Sequence, residues 1–353
     1  MEIHDPPLGV PAAGAFPSTP PGFRSGFVAL IGRPNVGKST LLNQLVGEKV
    51  AITSPVAQTT RNRLRAILTT PSAQLVLLDT PGIHKPHHLL GERLVQSARG
   101  AIGEVDVVML LVDGSEPAGR GDGFIVELLS SIRAPVLVAL NKSDLVDPAR
   151  AEQLMASYRA LLGQDPNGQE PMRAAPPAQT ESAGGPGGQA TVWGQRPTPL
   201  HWPLLACSAT TGVGTSALVE ALAARLPLGP HLYPPDAVSD QPEQLLLSEL
   251  IREQVLHQTR EEVPHSVAVS IDRIVDDGPR TAVLATVLVE RSSQKGILIG
   301  KGGAMLKTIG SGARLQMQKV FDGPVYLELF VKVVPNWRRN PAKLAELGYR
   351  GDG

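Results

Sequence analysis

The sequence predicts an open, doubly wound α/β sheet followed by a smaller α+β domain. Three observations support this. Five short apolar runs recur up to Ala209 with helix-like stretches between them, the rhythm of a parallel sheet covered on both faces. A proline-rich stretch, LPLGPHLYPPDAVSDQPEQ, then interrupts the chain up to Gln244. Beyond it the order changes to helix, two strands, glycine-rich turn, helix and strand, and 353 residues suffice for two ordinary cores.

Residues 1–24 are rich in Pro, Gly and Ala, with no cationic start and no apolar core, so a disordered tail is expected rather than a signal peptide. The apolar runs are FVALI (27–31), LVLLD (75–79), DVVMLLVD (106–113), VLVAL (136–140) and PLLACSA (203–209). None alternates cleanly, as expected of strands buried on both sides. KSTLLNQLVG and PARAEQLMASYRALLG supply helices between them. Residues 163–200 are poor in aliphatics and rich in Gly, Pro, Gln and Ala. They cannot repay the entropy of ordering and read as a flexible excursion within the first domain. The first domain is thus set at 25–227, a linker at 228–243 and the second domain at 244–350. The second opens with the helix LLLSELIREQVLHQT, continues with strands HSVAVSIDRIV and TAVLATVLVE, and after its glycine turn holds GARLQMQKVF and VYLELFVKVV.

Lys+Arg and Asp+Glu each number 33, so net charge names no partner. The cations are nevertheless uneven. From Arg291 to Lys343 ten stand against Asp322 and Glu328, which reads as a polyanion footprint or as a solvated cationic face. The single cysteine, Cys207, excludes an internal disulfide framework and suits a reducing cytosol. No stretch offers the ~18 uninterrupted apolar residues of a membrane span, and no basic amphipathic helix supports membrane docking.

Gly32 to Ser39, GRPNVGKS, fits G-x-x-x-x-G-K-[ST] between a strand and a helix. Backbone amides of such a loop surround phosphate oxygens, Lys38 neutralises the β- and γ-phosphates, and the Ser39 hydroxyl binds Mg²⁺. DTPG (79–82) ends the second run, where Asp79 can hold the Mg²⁺ shell and the Gly82 amide can meet a γ-phosphate. NKSD (141–144) ends the fourth, and the Asp144 carboxylate suits guanine N1–H and its N2 amino group. SAT (208–210) ends the fifth, where the Ala209 amide can donate to guanine O6. Four such stretches in order, each at the C-terminal end of a strand, point to a guanine nucleotide. The contact set is Gly32, Arg33, Pro34, Asn35, Val36, Gly37, Lys38, Ser39, Thr40, Asp79, Thr80, Pro81, Gly82, Asn141, Lys142, Asp144, Ser208 and Ala209. In QTTRNR (58–63), Thr60 is expected to be the switch threonine that reaches Mg²⁺ only with γ-phosphate present, with Thr59 as the alternative. Ile83 follows Gly82, so no glutamine stands there to orient water, and slow turnover is expected. His84, His87 and His88 read as a solvent-facing segment rather than a metal site.

A second glycine loop, GKGG at 300–303, lacks the terminal Lys-Ser/Thr of the first but fits G-x-x-G, the turn that grips single-stranded nucleotide backbones. Gly300 and Gly303 let phosphates near the main chain, Lys301 adds charge, Gly302 completes the RNA-binding turn, and Ile297, Ile299, Leu306 and Ile309 are expected to line a groove beside it. Lys307 and Arg314 extend the cationic surface.

GRPNVGKST, QTTRN, DTPG, NKSD and SAT, followed by the GKGG domain, resemble the Era GTPases over roughly residues 25–350, the 163–200 insertion apart. The resemblance implies a P-loop GTPase domain (Ras-like) joined to a type II KH domain, acting on 16S rRNA near its 3′ end in assembly of the 30S subunit. It implies a cytoplasmic monomer with Mg²⁺, linked weakly to the bacterial inner membrane. Asn35 resembles the asparagine that holds an activating K⁺ in related GTPases. FVKVVPNWRRNPAKLAELGY resembles the family's ending and sets Trp337, Arg338 and Arg339 near the bound RNA. A nucleotide-stabilised RNA scaffold without catalysis is the competing reading.

Overall fold

The computed structural model describes residues 19–54, 64–82, 102–165, 199–276 and 278–347. In the first domain, β1 (Arg24–Ile31) leads to α1 (Lys38–Val46), then β2 (Leu64–Thr69), β3 (Ala73–Asp79) and β4 (Val107–Asp113). α2 (Arg120–Leu129), β5 (Val136–Asn141), α3 (Pro148–Leu161), β6 (Leu204–Ala206) and α4 (Thr215–Ala223) follow. The strands form one sheet in the order β2-β3-β1-β4-β5-β6, parallel except for β2. Residues of α1 and α4 pack on one face with Leu30, Leu75 and Leu77, and those of α2 and α3 on the other with Ile31, Leu110 and Val138. All five apolar runs contain strands, and every residue of β3 and β5 is buried, whereas β6, at the sheet edge, is half-buried to exposed.

Three features depart from the sequence reading. β2, LRAILT, has no strand signature in sequence, because this edge strand carries exposed Arg65 and ends half-buried, which leaves no long apolar run. Phe23 and Arg24, assigned to the tail, belong to the domain: Phe23 is buried against His231 and Arg24 begins β1. The stretch 228–242 is no free tether. Buried Gln74 accepts from the Leu232 and Tyr233 amides at 2.7 and 2.9 Å and donates to Tyr233 O at 2.9 Å. Further along, the Ile67 amide donates to Val238 O and Arg65 pairs with Asp240 at 3.0 Å, so the segment covers the β2 edge.

Most of the 163–200 insertion lies outside the described residues. Its ends meet, however: the Leu200 amide donates to Leu162 O at 2.9 Å, and Gln164 Nε2 reaches Leu200 O and Trp202 O. The excursion therefore enters and leaves the domain at one point on α3.

The second domain is built from α5 (Glu243–Gln258), α6 (Val263–Ser266), β7 (Ala268–Asp276), β8 (Thr281–Val289), α7 (Ser292–Ile299), α8 (Ala304–Val320), β9 (Val325–Val333) and α9 (Pro341–Glu346). β7 and β8 are antiparallel, β8 and β9 parallel. α5 and α8 supply Leu250, Ile251, Val255, Ile309, Ala313 and Met317 to a core with Val283, Ala285 and Val287 of β8.

Candidate functional site

The loop between β1 and α1 is held by hydrogen bonds from its own residues. Lys38, the first residue of α1, is buried, and its ammonium donates to Gly32 O at 3.1 Å and Arg33 O at 2.9 Å. These carbonyls hold it inside the loop, where burial pushes its pKa down to about 8 against the opposing pull of Asp79. Ser39 Oγ donates to Asp79 Oδ2 at 2.7 Å. Two hard oxygen donors thus stand side by side, the chemistry Mg²⁺ selects, and Ser39 and Asp79 fit that ion. Thr80 anchors the end of β3 by donating to Leu30 O at 2.7 Å, and buried Gly82 lies against Pro34 so closely that an added Cβ would stand 2.7 Å from the Pro34 nitrogen. Asn35 is exposed at the mouth of the loop in left-handed conformation, φ 63°. Val36 is buried, whereas Thr40 is half-buried on α1.

The base side is organised by Asn141, which ends β5 and is buried. Its Nδ2 donates to Val36 O at 2.8 Å and its Oδ1 accepts from the Ala209 amide at 2.8 Å. The Ala209 amide, assigned to guanine O6 on sequence grounds, is therefore engaged by Asn141. Gly37, at φ 97°, makes room for the same side chain, which lies 2.3 Å from where its Cβ would be. Lys142 ion-pairs with Asp113 at 2.5 Å. Burial would raise the Asp113 carboxyl, but hydrogen bonds from Lys142 and Ser115 outweigh it and hold the group below its usual range. Asp144 stands exposed beyond it, and Ser208 is buried and accepts from the Thr211 amide at 3.0 Å. Burial pushes the Cys207 thiol up to about 11, so it serves packing and not reactivity.

The GKGG turn caps α8, with Gly300, Gly302 and Gly303 at φ 70°, 61° and 80°. Lys301, Lys307 and Arg314 are exposed, as are Ile297 and Gly302, while Ile299 and Leu306 are half-buried. Two expectations need correction. Ile309 does not line a groove; it is fully buried in the domain core. Trp337 is not an RNA contact: it is fully buried, packs with Ala268, Leu288 and Leu344, and donates Nε1–H to Ser266 O at 3.0 Å. A tryptophan beside two arginines mimics a stacking platform in sequence, but its ring closes the core under α9. Arg338 is held too, with Nε 3.0 Å from Glu290 Oε2, whereas Arg339 is exposed.

Thr59, Thr60, Ile83 and the three histidines lie outside the described residues. Two residues that sequence reasoning missed act at a distance. Asp122, buried at the start of α2, pairs with Arg33 at 2.8 Å and anchors the phosphate loop. Its only sequence signal is an acid in a helix's first turn. Glu253 on α5 binds the loop after α1. Among the described residues no cluster of three or more His, Cys, Asp and Glu is arranged to hold a metal ion, and no helix is long and apolar enough to cross a membrane.

Residues 27–142 match a family model described as a 50S ribosome-binding GTPase, and residues 262–338 match a KH domain model. The chain is 54% identical over 334 residues to GTPase Era of Synechocystis sp., covering 95% of each. It is 53% identical over 336 residues to GTPase Era of Nostoc sp., covering 95% of this chain and 93% of the relative. Among solved structures it resembles Era in complex with MgGDPNP and nucleotides 1506–1542 of 16S ribosomal RNA, at 35% identity and a TM-score of 0.79, covering 93% of this chain and 99% of that one. An Aquifex aeolicus Era variant bound to GDP·AlF4⁻ matches equally well, with a TM-score of 0.79.

The Lys38 environment has a measurable consequence. With its pKa near 8 in the free protein, the ammonium must regain its proton when phosphates bind above that pH. At pH 8.5 GTP binding should take up a fraction of a proton, read as heats that differ between buffers of unlike ionisation enthalpy. Affinity should fall from pH 8 to 9, and Lys38→Met should abolish the uptake. For Trp337, replacement by Phe should lower the unfolding free energy in urea by about 1–2 kcal/mol while leaving RNA affinity within about twofold, the mark of a core residue.

Proposed function

The chain is a member of the Era GTPase family, and on that premise we propose a GTP-hydrolysing switch that binds 16S rRNA near its 3′ end through the KH domain and acts in 30S subunit assembly. The observation that carries it is the convergence of four loops at the C-terminal ends of β1, β3, β5 and β6, two of them tied by Asn141, in a chain that also presents an exposed GKGG turn. Era bound to both MgGDPNP and 16S rRNA supports the same pairing of ligands.

In this reading Lys38 presents its charge to the β- and γ-phosphates from a buried position, where it acts through low dielectric. The Gly82 amide meets the γ-phosphate. Mg²⁺, when bound, neutralises developing charge on the phosphate oxygens, and Ser39, Asp79 and Thr60 are the residues that would hold it. Asp144 reads the guanine edge, with Lys142 fixed beneath by Asp113. Lys301, Lys307 and Arg314 supply the RNA-facing charge. Ile83 cannot polarise water, so catalysis rests on positioning and charge, and intrinsic turnover is slow. Asn35, exposed on the first glycine loop, is the residue assigned here to an activating K⁺. The protein works in the cytoplasm as a monomer, with a weak peripheral contact at the bacterial inner membrane.

Separate substitutions in the two loops test the assignment. Lys38→Ala should lower single-turnover GTP hydrolysis at least ~100-fold. Lys301→Glu should weaken a short 3′-end rRNA about tenfold or more at fixed low salt, with RNA-free hydrolysis unchanged. Hydrolysis that survives Lys38→Ala, or RNA affinity indifferent to Lys301→Glu, would contradict it. For K⁺, hydrolysis should be faster in potassium than in sodium buffer and lose that difference in Asn35→Ala; equal wild-type rates would remove the ion.

A further inference from the structure

We propose that Glu253, in the second domain, is a positioning residue for the nucleotide site, fixing the loop after α1 and joining that site to the GKGG turn. The inference rests on the GTP-and-RNA reading above. Glu253 lies on α5 with its side chain 1% exposed. Its carboxylate accepts from Lys49 Nζ at 2.5 Å and from the Thr53 amide at 2.8 Å. One turn on, His257 Nε2 lies 3.0 Å from Thr53 O. Lys49 also donates to Gln316 Oε1 on α8 at 3.1 Å, and Ile52 packs among the second domain's core residues. A loop of the first domain is thus folded into the second.

The loop's other end is tied to the phosphate helix. Asn43 of α1 accepts through Oδ1 from the Val50 and Ala51 amides at 3.0 and 2.9 Å, and its Nδ2 donates to Ala51 O at 2.8 Å. Because Lys38 and Ser39 open this same helix, a continuous set of bonds runs from the phosphate cradle to Glu253. From α5 it continues to α8, which the GKGG turn caps. At that contact Gly312 approaches so closely that an added Cβ would stand 2.2 Å from Gln254 Oε1.

A buried carboxylate is costly unless paired. Here its partners are a side chain and a backbone amide four residues apart on one loop, so the pair forms in only one placement of that loop. A nucleotide that biases the loop therefore biases α5 and α8, and RNA must act back on the nucleotide by the same factor.

The test measures affinity of the full chain for a fluorescent, non-hydrolysable GTP analogue, with and without a saturating short RNA copying the small-subunit 3′ end. Wild type should tighten about tenfold with RNA. Glu253→Gln and Lys49→Met should each reduce this factor below about twofold, and the double variant should go no further. A merely structural role would lower stability or each affinity and leave the ratio intact. Tenfold coupling retained in both variants overturns the role of Glu253 while leaving the functional reading standing; a wild type without coupling overturns both.

Discussion

The candidate nucleotide site depends on one buried amide. Asn141 ends β5, donates to the phosphate loop at Val36 and accepts from the Ala209 amide on the loop after β6. A carboxamide carries a strong donor and a strong acceptor on one short planar group, so one side chain can serve both loops. The contact costs Gly37 its side chain, because the Asn141 nitrogen fills that space. Three loops far apart in sequence are thereby held in one arrangement. The helix that begins at Lys38 then starts from a fixed origin, and the Ser39–Asp79 bond follows from it.

The two glycine-rich loops solve different problems with the same residue. In the first, glycine admits a neighbouring side chain, and a buried lysine is lashed to carbonyls, so charge is concentrated in a desolvated position. In the second, three positive-φ glycines keep an exposed turn open beside Lys301. A buried, desolvated charge suits a compact phosphate chain. An exposed one suits a strand that slides past and is weakened by salt.

What the sequence disclosed was local. Each phosphate and base motif is contiguous, and each apolar run was long enough to read as a strand, so the sheet and both glycine loops were legible. What it hid was tertiary. β2 lacked a continuous apolar run, the 228–242 segment depends on Gln74 across 158 residues of chain separation, and Asp122 and Glu253 look like ordinary helix acids until their partners arrive from elsewhere. Trp337 is hidden for the same reason: its neighbours in sequence are two arginines, whereas its neighbours in space are Ala268, Leu288 and Leu344.

A single titration bears most directly on whether this chain is a switch with two coupled loops. It is the affinity for a short RNA copying the small-subunit 3′ end, measured first with GDP and then with a non-hydrolysable GTP analogue at one salt concentration. Coupled loops require the analogue to tighten RNA about tenfold, ~1.4 kcal/mol. Equal affinity in the two nucleotide states would mean that the nucleotide does not govern this RNA, and the protein would then be a scaffold that holds GTP only for stability.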